Sequence, residues 1–168
     1  MRKGAATVMA GSIHGRIGGR FAGYDVHAEL HDSGQITGRF GGALNGKDIN
    51  FAFDGANLWG RWGGSVAGKD IQCQLTETGL TGRMGGGTVG YDLNLLCEGA
   101  RMTGRAGGDT FGFNLDLTCH PDGRLTGRLG GGFVGKDCNV QVAGMPWVVA
   151  GAIVAAVYWQ LLNDSNRN

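Results

Sequence analysis

The sequence predicts an all-β repeat protein, in which six β-hairpins of about 22 residues form an antiparallel meander and one hydrophobic α-helix follows. Three observations support this prediction. A motif of an apolar residue, one further residue that is most often Thr, Gly-Arg, an apolar residue and Gly-Gly recurs six times. The residues after each motif alternate between apolar and polar, and the last long apolar run contains no charged residue. Self-similarity at a fixed period is typical of repeat architectures.

Each repeat carries an arginine and, nine positions later, an acidic or amide residue. The arginines, 22 or 23 residues apart, are Arg16, Arg39, Arg61, Arg83, Arg105 and Arg128. The residues nine positions later are Asp25, Asp48, Asp70, Asp92, Asn114 and Asp137. On the two strands of a hairpin such residues can face one another, so we expect ion pairs that set the strand register. The alternative is a row of guanidinium groups that binds an anionic ligand.

Composition limits the class of protein. Glycine accounts for 35 of 168 residues, but the hydrophobic fraction of 42% argues against low-complexity disorder. A net charge of +1 argues against a nucleic-acid partner, because such a partner requires a clustered basic excess. The cysteines lack CxxC spacing and lie in apolar alternations, so we expect small buried side chains in a reducing compartment. They are Cys73, Cys97, Cys119 and Cys138.

The chain is divided into four parts. Residues 1–11 form a lead-in without a strong pattern, and residues 12–144 form the six-repeat, glycine-rich β domain. The second half of each repeat alternates with period two, as in Leu93, Leu95 and Cys97, which predicts a strand with one buried face. Residues 145–162 form a hydrophobic helix, and residues 163–168 a polar tail.

Short connections determine how the strands pair. Pro121-Asp122-Gly123 predicts a tight turn, and Asn45-Gly46 suits a type I′ hairpin. Parallel strands need crossovers of about a dozen residues, so the sequence favours a meander of about 12 strands, either a closed barrel or a curved sheet. A β-solenoid with one repeat per coil is the alternative. The Gly-Gly pairs mark either the points where a sheet coils into a barrel or a shallow groove.

The C-terminal run has features of a membrane or partner helix. Small residues at a spacing of four permit close helix contact, and aromatic residues lie at both ends, as in membrane spans. Gly151 and Ala155 are small residues at this spacing, and the aromatic residues are Trp147, Tyr158 and Trp159. Pro146 suits the first turn of the helix. A helix that is apolar all round is buried in lipid or in protein, so a core helix that plugs the barrel is the second interpretation.

We expect no enzyme, cofactor or metal site. The GRxGG motif lacks the Lys-Ser/Thr of a phosphate-binding loop, and His27 and His31 lack the spacing of a metal site. Trp59 and Trp62 flank Arg61 in one repeat only, and a sugar-stacking platform is one interpretation of that pair.

The sequence therefore suggests a non-enzymatic structural or assembly protein. In this hypothesis, the C-terminal helix tethers the β domain to a membrane or larger complex on the cytoplasmic side, in a homo-oligomer or as a subunit of an assembly. The first alternative is a binding or membrane-acting effector module that recognises an anionic ligand through the arginines. The second is a transmembrane β-barrel with Leu, Met and Cys facing lipid and Arg, Asp and Asn lining the lumen. A soluble cytoplasmic protein is the alternative localisation.

Overall fold

Twelve antiparallel strands form a closed barrel around one helix in the computed structural model, which describes residues 8–41, 46–64, 68–85, 90–130 and 135–165. The elements are β1 (Gly11–Gly18), β2 (Gly23–Leu30), β3 (Gln35–Phe40), β4 (Lys47–Phe53), β5 (Asn57–Trp62), β6 (Lys69–Leu75), β7 (Gly79–Gly85), β8 (Gly90–Glu98), β9 (Arg101–Gly107), β10 (Gly112–Cys119), β11 (Arg124–Leu129), β12 (Lys136–Ala143) and α1 (Trp147–Ser165). The predicted fold class is confirmed as a closed barrel of consecutive hairpins with a C-terminal helix. Pairing between these strands is antiparallel throughout, unlike that of a solenoid with one repeat per coil.

Six hairpins leave the first and last strands antiparallel, and these two strands pair to close the barrel. In the closing pair, Ile13 lies opposite Val142 and Arg16 lies opposite Asn139. Closure removes the two free edges that an open twelve-stranded sheet would expose to other chains.

Apolar side chains face the lumen and polar side chains face outward. On β8, Leu93 and Leu95 are buried. Asp92, which precedes Leu93, and Asn94, which lies between the two leucines, are exposed. The other strands show the same alternation, which is the signature of a strand with one buried face. This orientation is the reverse of the one that a transmembrane β-barrel requires, since such a barrel turns its apolar residues toward lipid.

Glycines at the middle of the odd-numbered strands let adjacent strands approach closely. They are Gly15, Gly38, Gly60, Gly82, Gly104 and Gly127. A Cβ atom on Gly82 would lie 2.3 Å from the carbonyl oxygen of Gln72 and 2.5 Å from the Cα atom of Cys73. No side chain fits in that space, so these glycines permit the tight curvature of the wall.

The Gly-Gly pairs have a different role from the one predicted. The first glycine of each described pair lies at the end of a strand or directly after it, as Gly18 and Gly107 do with φ angles of 102° and 103°. Glycine adopts positive φ without steric cost, so the pairs mark loops instead of bends within the strands.

The connections divide the barrel into two ends. We call the end that carries the loops after the odd-numbered strands, including 19–22 and 108–111, the loop end. The opposite end, with turns such as 31–34 and 120–123, is the turn end. Gly123 has a φ angle of 93°, as the predicted tight turn requires. Asn45 of the predicted Asn45-Gly46 turn lies outside the described residues.

Helix α1 occupies the lumen. It enters at the turn end, where the carbonyl oxygen of Pro146 accepts hydrogen bonds from the backbone N–H groups of Val149 and Ala150, both at 3.1 Å. All residues from Val149 to Leu161 are buried. A twelve-stranded barrel is wider than the eight-stranded ones that side chains alone can fill, and a helix about 10–12 Å across occupies the extra space.

Of the two interpretations of the apolar run, the structure shows the core helix. By length and composition alone α1 would be able to cross a membrane, but 78% of its most apolar stretch is buried inside the barrel. The helix starts two residues later than the predicted segment and continues to Ser165, into the predicted polar tail.

Candidate functional site

The repeated arginines and their partners lie directly opposite one another near the loop end. In five hairpins, Nη1 of the arginine lies 2.7–3.0 Å from Oδ1 of the aspartate. The pairs are Arg16–Asp25, Arg39–Asp48, Arg61–Asp70, Arg83–Asp92 and Arg128–Asp137. In the remaining hairpin, Arg105 donates a hydrogen bond to Asn114 at 2.9 Å. This is the geometry that register-setting pairs require.

The same guanidinium groups also hold the loops. Arg16 Nη2 donates to the carbonyl oxygen of Gly19 at 2.9 Å, and Arg105 Nη2 donates to that of Gly108 at 2.6 Å. Arg61 and Arg128 reach loop carbonyl oxygens at 3.1 and 3.2 Å. An exposed ion pair contributes only about 0–1 kcal/mol to stability. The additional hydrogen bonds to the carbonyl oxygens fix the position of each loop. Part of the donor capacity of these guanidinium groups is therefore used within the barrel.

Two of these braced loops present large apolar side chains to solvent. Phe21 is 97% exposed and Phe111 is 75% exposed. Backbone hydrogen bonds close both loops, from Gly19 to Ala22 at 3.1 Å and from Gly108 to Phe111 at 2.7 Å. The hairpin β11–β12 lies between them around the barrel, so the two loops are two hairpins apart at the same end.

Sequence reasoning missed these phenylalanines. The available signal was an apolar residue inside the short segment between each Gly-Gly pair and the next glycine. The corresponding segments of the other four hairpins also contain apolar residues, but residues 42–45, 65–67, 86–89 and 131–134 lie outside the described residues.

Basic residues without a carboxylate partner accompany both phenylalanines. Arg20 is adjacent to Phe21 in its loop, and Arg105, which braces the Phe111 loop, pairs with the neutral amide of Asn114. In the part of the chain that the structure describes, neither arginine has a carboxylate within ion-pair distance. Asp109 lies in the same loop as Phe111 and offsets part of this charge.

The two ends of the barrel carry opposite net charge. Among the described residues, the loop half has ten basic residues and seven acidic ones, a net charge of +3: Arg16, Arg20, Arg39, Lys47, Arg61, Lys69, Arg83, Arg105, Arg128 and Lys136 against Asp25, Asp48, Asp70, Asp92, Asp109, Asp137 and Asp164. The turn half has two basic and six acidic residues, a net charge of −4: Arg101 and Arg124 against Glu29, Asp32, Asp54, Glu77, Glu98 and Asp122. Asp116, paired with Arg101, lies near the middle of β10. The described residues therefore show an axial charge separation.

The end of α1 is fixed to the wall at the loop end by a chain of hydrogen bonds. Trp62 Nε1 donates to Gln160 Oε1 at 3.0 Å, and Gln160 Nε2 donates to Asp164 Oδ1 at 2.9 Å. The Tyr24 hydroxyl donates to the other carboxylate oxygen of Asp164. Burial, and then this carboxylate, raise the pKa of Tyr24 to about 12. These bonds hold the loop-end portion of the helix in place.

The predicted membrane-helix residues instead pack against the barrel. Gly151 lies against Met102 and Leu95, and a Cβ atom there would come within 2.5 Å of the Met102 sulfur. Ala155 is fully buried in the lumen. The Tyr158 ring contacts Phe113 edge to face, with ring centroids 4.7 Å apart.

Aromatic contacts also surround Trp159. Its ring stacks on Tyr91 at 4.9 Å, and Lys69 Nζ lies 5.2 Å from the ring centroid. Trp147 begins the helix at the turn end and is partly buried, and Pro146 immediately precedes it. The small and aromatic residues of α1 are thus matched to the inner wall.

The remaining candidate residues separate in the structure. Cys73, Cys119 and Cys138 are buried, and burial raises the pKa of Cys73 and Cys138 to about 12. Trp62 faces the lumen whereas Trp59 faces outward, so they do not form one platform. Within the described ranges, no three His, Cys, Asp or Glu side chains are placed to hold a metal ion.

Comparisons with protein-family models, with curated proteins and with solved structures give no match.

Proposed function

We propose that this chain is a non-enzymatic, membrane-associated module that docks its loop end on the surface of anionic lipid. The exposure of Phe21 and Phe111 at one end of the barrel carries this proposal. The proposal keeps the non-enzymatic and membrane-associated character suggested by the sequence and moves the contact from the helix to the loops.

The physical argument begins with the cost of exposing phenylalanine. Full transfer of such a side chain out of water is worth about 1.5–3 kcal/mol. The two loops are closed by backbone hydrogen bonds and braced by Arg16 and Arg105, so they hold Phe21 and Phe111 away from the barrel core. Aromatic residues are favoured at the boundary between headgroups and acyl chains, where both rings would gain an apolar environment.

Charge indicates which lipid is preferred. The described loop half carries a net charge of +3 and the turn half −4, so an anionic surface attracts the first and repels the second. A basic residue close to an anionic membrane contributes about 1 kcal/mol. The barrel would therefore approach with its axis upright and the phenylalanines leading.

Vesicle flotation tests this proposal. The wild-type chain should float with phosphatidylcholine vesicles that contain about 30% phosphatidylglycerol and should be released as NaCl rises to about 0.5 M. Replacing both phenylalanines, Phe21→Ser with Phe111→Ser, removes about 3 kcal/mol of insertion energy, which corresponds to roughly 100-fold weaker binding. The matched control replaces exposed apolar residues of the turn half, Met9→Ser with Leu96→Ser, and should bind like the wild type. Equal binding by both double variants would refute loop-end docking.

The tether hypothesis is the second candidate, because α1 is long and apolar enough to cross a membrane. It requires the helix to leave the lumen and to abandon the buried contacts of Val149 to Leu161. Extraction with alkaline carbonate separates the two proposals. A helix inserted in lipid stays in the membrane fraction, whereas a barrel docked through loops and charge is released. In the tether hypothesis, the phenylalanine variants would bind membranes like the wild type.

A further inference from the structure

We infer that the outer wall around Trp59 is a binding site for a neutral oligosaccharide, with one pyranose ring stacked on the indole. The site lies on strands β4 to β7, on the side of the barrel. It therefore stands whether or not the loop end binds lipid.

Trp59 is a single departure from the repeat pattern. The residue before Gly-Arg is Thr37, Thr81, Thr103 or Thr126 in four other hairpins and histidine in the first. Two of these threonines accept or donate a hydrogen bond to a histidine ring, Thr37 at 2.9 Å and Thr126 at 2.7 Å. Tryptophan has no hydroxyl for such a bond, and Trp59 is 44% exposed on a wall whose outward residues are mostly polar.

The neighbours of Trp59 leave the ring accessible. Ala52 lies directly opposite it on β4, and Gln72 lies directly opposite on β6. In the other hairpins the outward position of Ala52 is occupied by larger residues, namely Glu29, Gln74, Leu96, Thr118 and Gln141. Trp59 therefore lies beside Ala52, the smallest of the six residues at this outward position. Open grooves lie on both sides of the indole.

Amide side chains line the grooves. Within the described part of the chain, the side chains of Asn50, Gln72 and Gln74 make no hydrogen bond. Gln74 and Asn50 are diagonal neighbours of Trp59, within reach of a ring stacked on the indole. The groove on the β6 side has a volume of about 660 Å³, within the range of small-ligand sites.

This set of groups matches a sugar. A hydroxyl group both donates and accepts hydrogen bonds, and so does a carboxamide. The flat C–H face of a pyranose packs on an aromatic ring, which supplies contact area and orientation. At the loop-side border Arg61 is paired with Asp70 and Arg83 with Asp92, and the carboxylates of Asp32 and Asp54 line the groove on the β4 side. These charges disfavour an anionic sugar, so the ligand class is neutral. Grooves that recognise proline-rich peptides are lined by several aromatic residues, whereas among the described residues of this site only Trp59 presents an exposed aromatic side chain, since Phe51 and Phe53 are buried.

Titration with defined sugars tests the inference. The probes are the tetrasaccharides of β-1,4-linked glucose, β-1,4-linked N-acetylglucosamine and α-1,4-linked glucose, each added to about 10 mM to detect weak binding. The readout is the indole N–H resonance of Trp59, assigned as the signal that is lost in Trp59→Tyr. We expect at least one probe to shift this resonance and to leave those of Trp62 and Trp159 unchanged. No shift with any probe would overturn the inference.

Variants test the roles of the individual groups by calorimetry. Trp59→Ala should weaken binding at least about tenfold, whereas Trp59→Tyr should stay within about threefold of the wild type because a ring remains. Gln72→Ala should also weaken binding. The matched control is Thr103→Ala, the same outward position on β9, which should leave the affinity unchanged. A Trp59→Ala chain with wild-type affinity would refute stacking on the indole. A stronger response to a proline-rich peptide than to any sugar would refute the oligosaccharide as the ligand.

Discussion

The glycine at the middle of β7 offers a direct test of the barrel wall. In Gly82→Ala the new Cβ atom would lie 2.3 Å from the Gln72 carbonyl oxygen and 2.5 Å from the Cα atom of Cys73. Real Cβ contacts essentially never fall below 3.0 Å, so β6 and β7 would have to separate by roughly 0.7 Å. Both obstacles are backbone atoms, and the closed barrel leaves no free edge to absorb the movement.

We expect Gly82→Ala to lower the free energy of unfolding by at least about 2 kcal/mol, in the usual range for overpacking. For a chain of this size that corresponds to a decrease in Tm of roughly 4–8 °C, measured by calorimetry or circular dichroism. The control is Gly108→Ala, since a Cβ atom there meets nothing within 4 Å and the φ angle of Gly108 is not positive. It should be neutral or up to about 1 kcal/mol more stable, through reduced entropy of the unfolded chain. A Gly82→Ala barrel that melts within about 1 °C of the wild type would refute the close approach of the two strands.

Three further predictions concern the filled lumen. A chain that stops after Gly144 lacks α1, so it should aggregate or elute as expanded material in size exclusion, whereas a chain that stops after Ser165 should elute like the full-length chain. The pKa of Tyr24 is raised to about 12 in the folded chain and is near 10 in the unfolded one. The contribution of Tyr24 to stability is therefore present below pH 10 and is lost between about pH 10 and 12. Urea titrations should show that loss of stability, and Tyr24→Phe should reduce it. The Cys73 and Cys138 thiols, with pKa values of about 12, should react with a disulfide reagent at pH 8 only after denaturant opens the barrel.

Much of the wall was predictable because the pairing of residues within a hairpin depends only on positions that are close in the sequence. Arg83 and Asp92 are nine residues apart, and a hairpin centred between them brings them face to face. Alternation of Leu93, Asn94 and Leu95 gives the buried face directly. Closure was not determined in the same way, because it depends on how strongly successive strands coil. The sequence does not display the close contacts at residues such as Gly82 that permit the coiling.

The location of the apolar helix was unpredictable for a different reason. Gly151 and Ala155 have the same spacing whether a second membrane helix or the side chains of Met102 and Leu95 lie against them. Both environments are dry and apolar, so a helix that is apolar all round carries no pattern that separates them. Only the diameter of a closed twelve-stranded barrel, a property of the whole chain, creates a space that this helix fills.

Filling the lumen with the chain's own helix also bears on where function lies. A barrel with an empty interior would offer a ligand cavity, but here Val149 to Leu161 take up that space, and Trp62, Gln160 and Asp164 bond the helix to the wall. Binding must then use the outside of the barrel or one of its ends. The repeat makes most of that exterior uniform, so the departures from uniformity carry the information. Among the described residues, Phe21 and Phe111 at the loop end and Trp59 beside Ala52 on the wall are large exposed apolar groups, and Trp59 differs from the residue at that position in the other repeats. Each has an assay in which the rest of the barrel serves as its control.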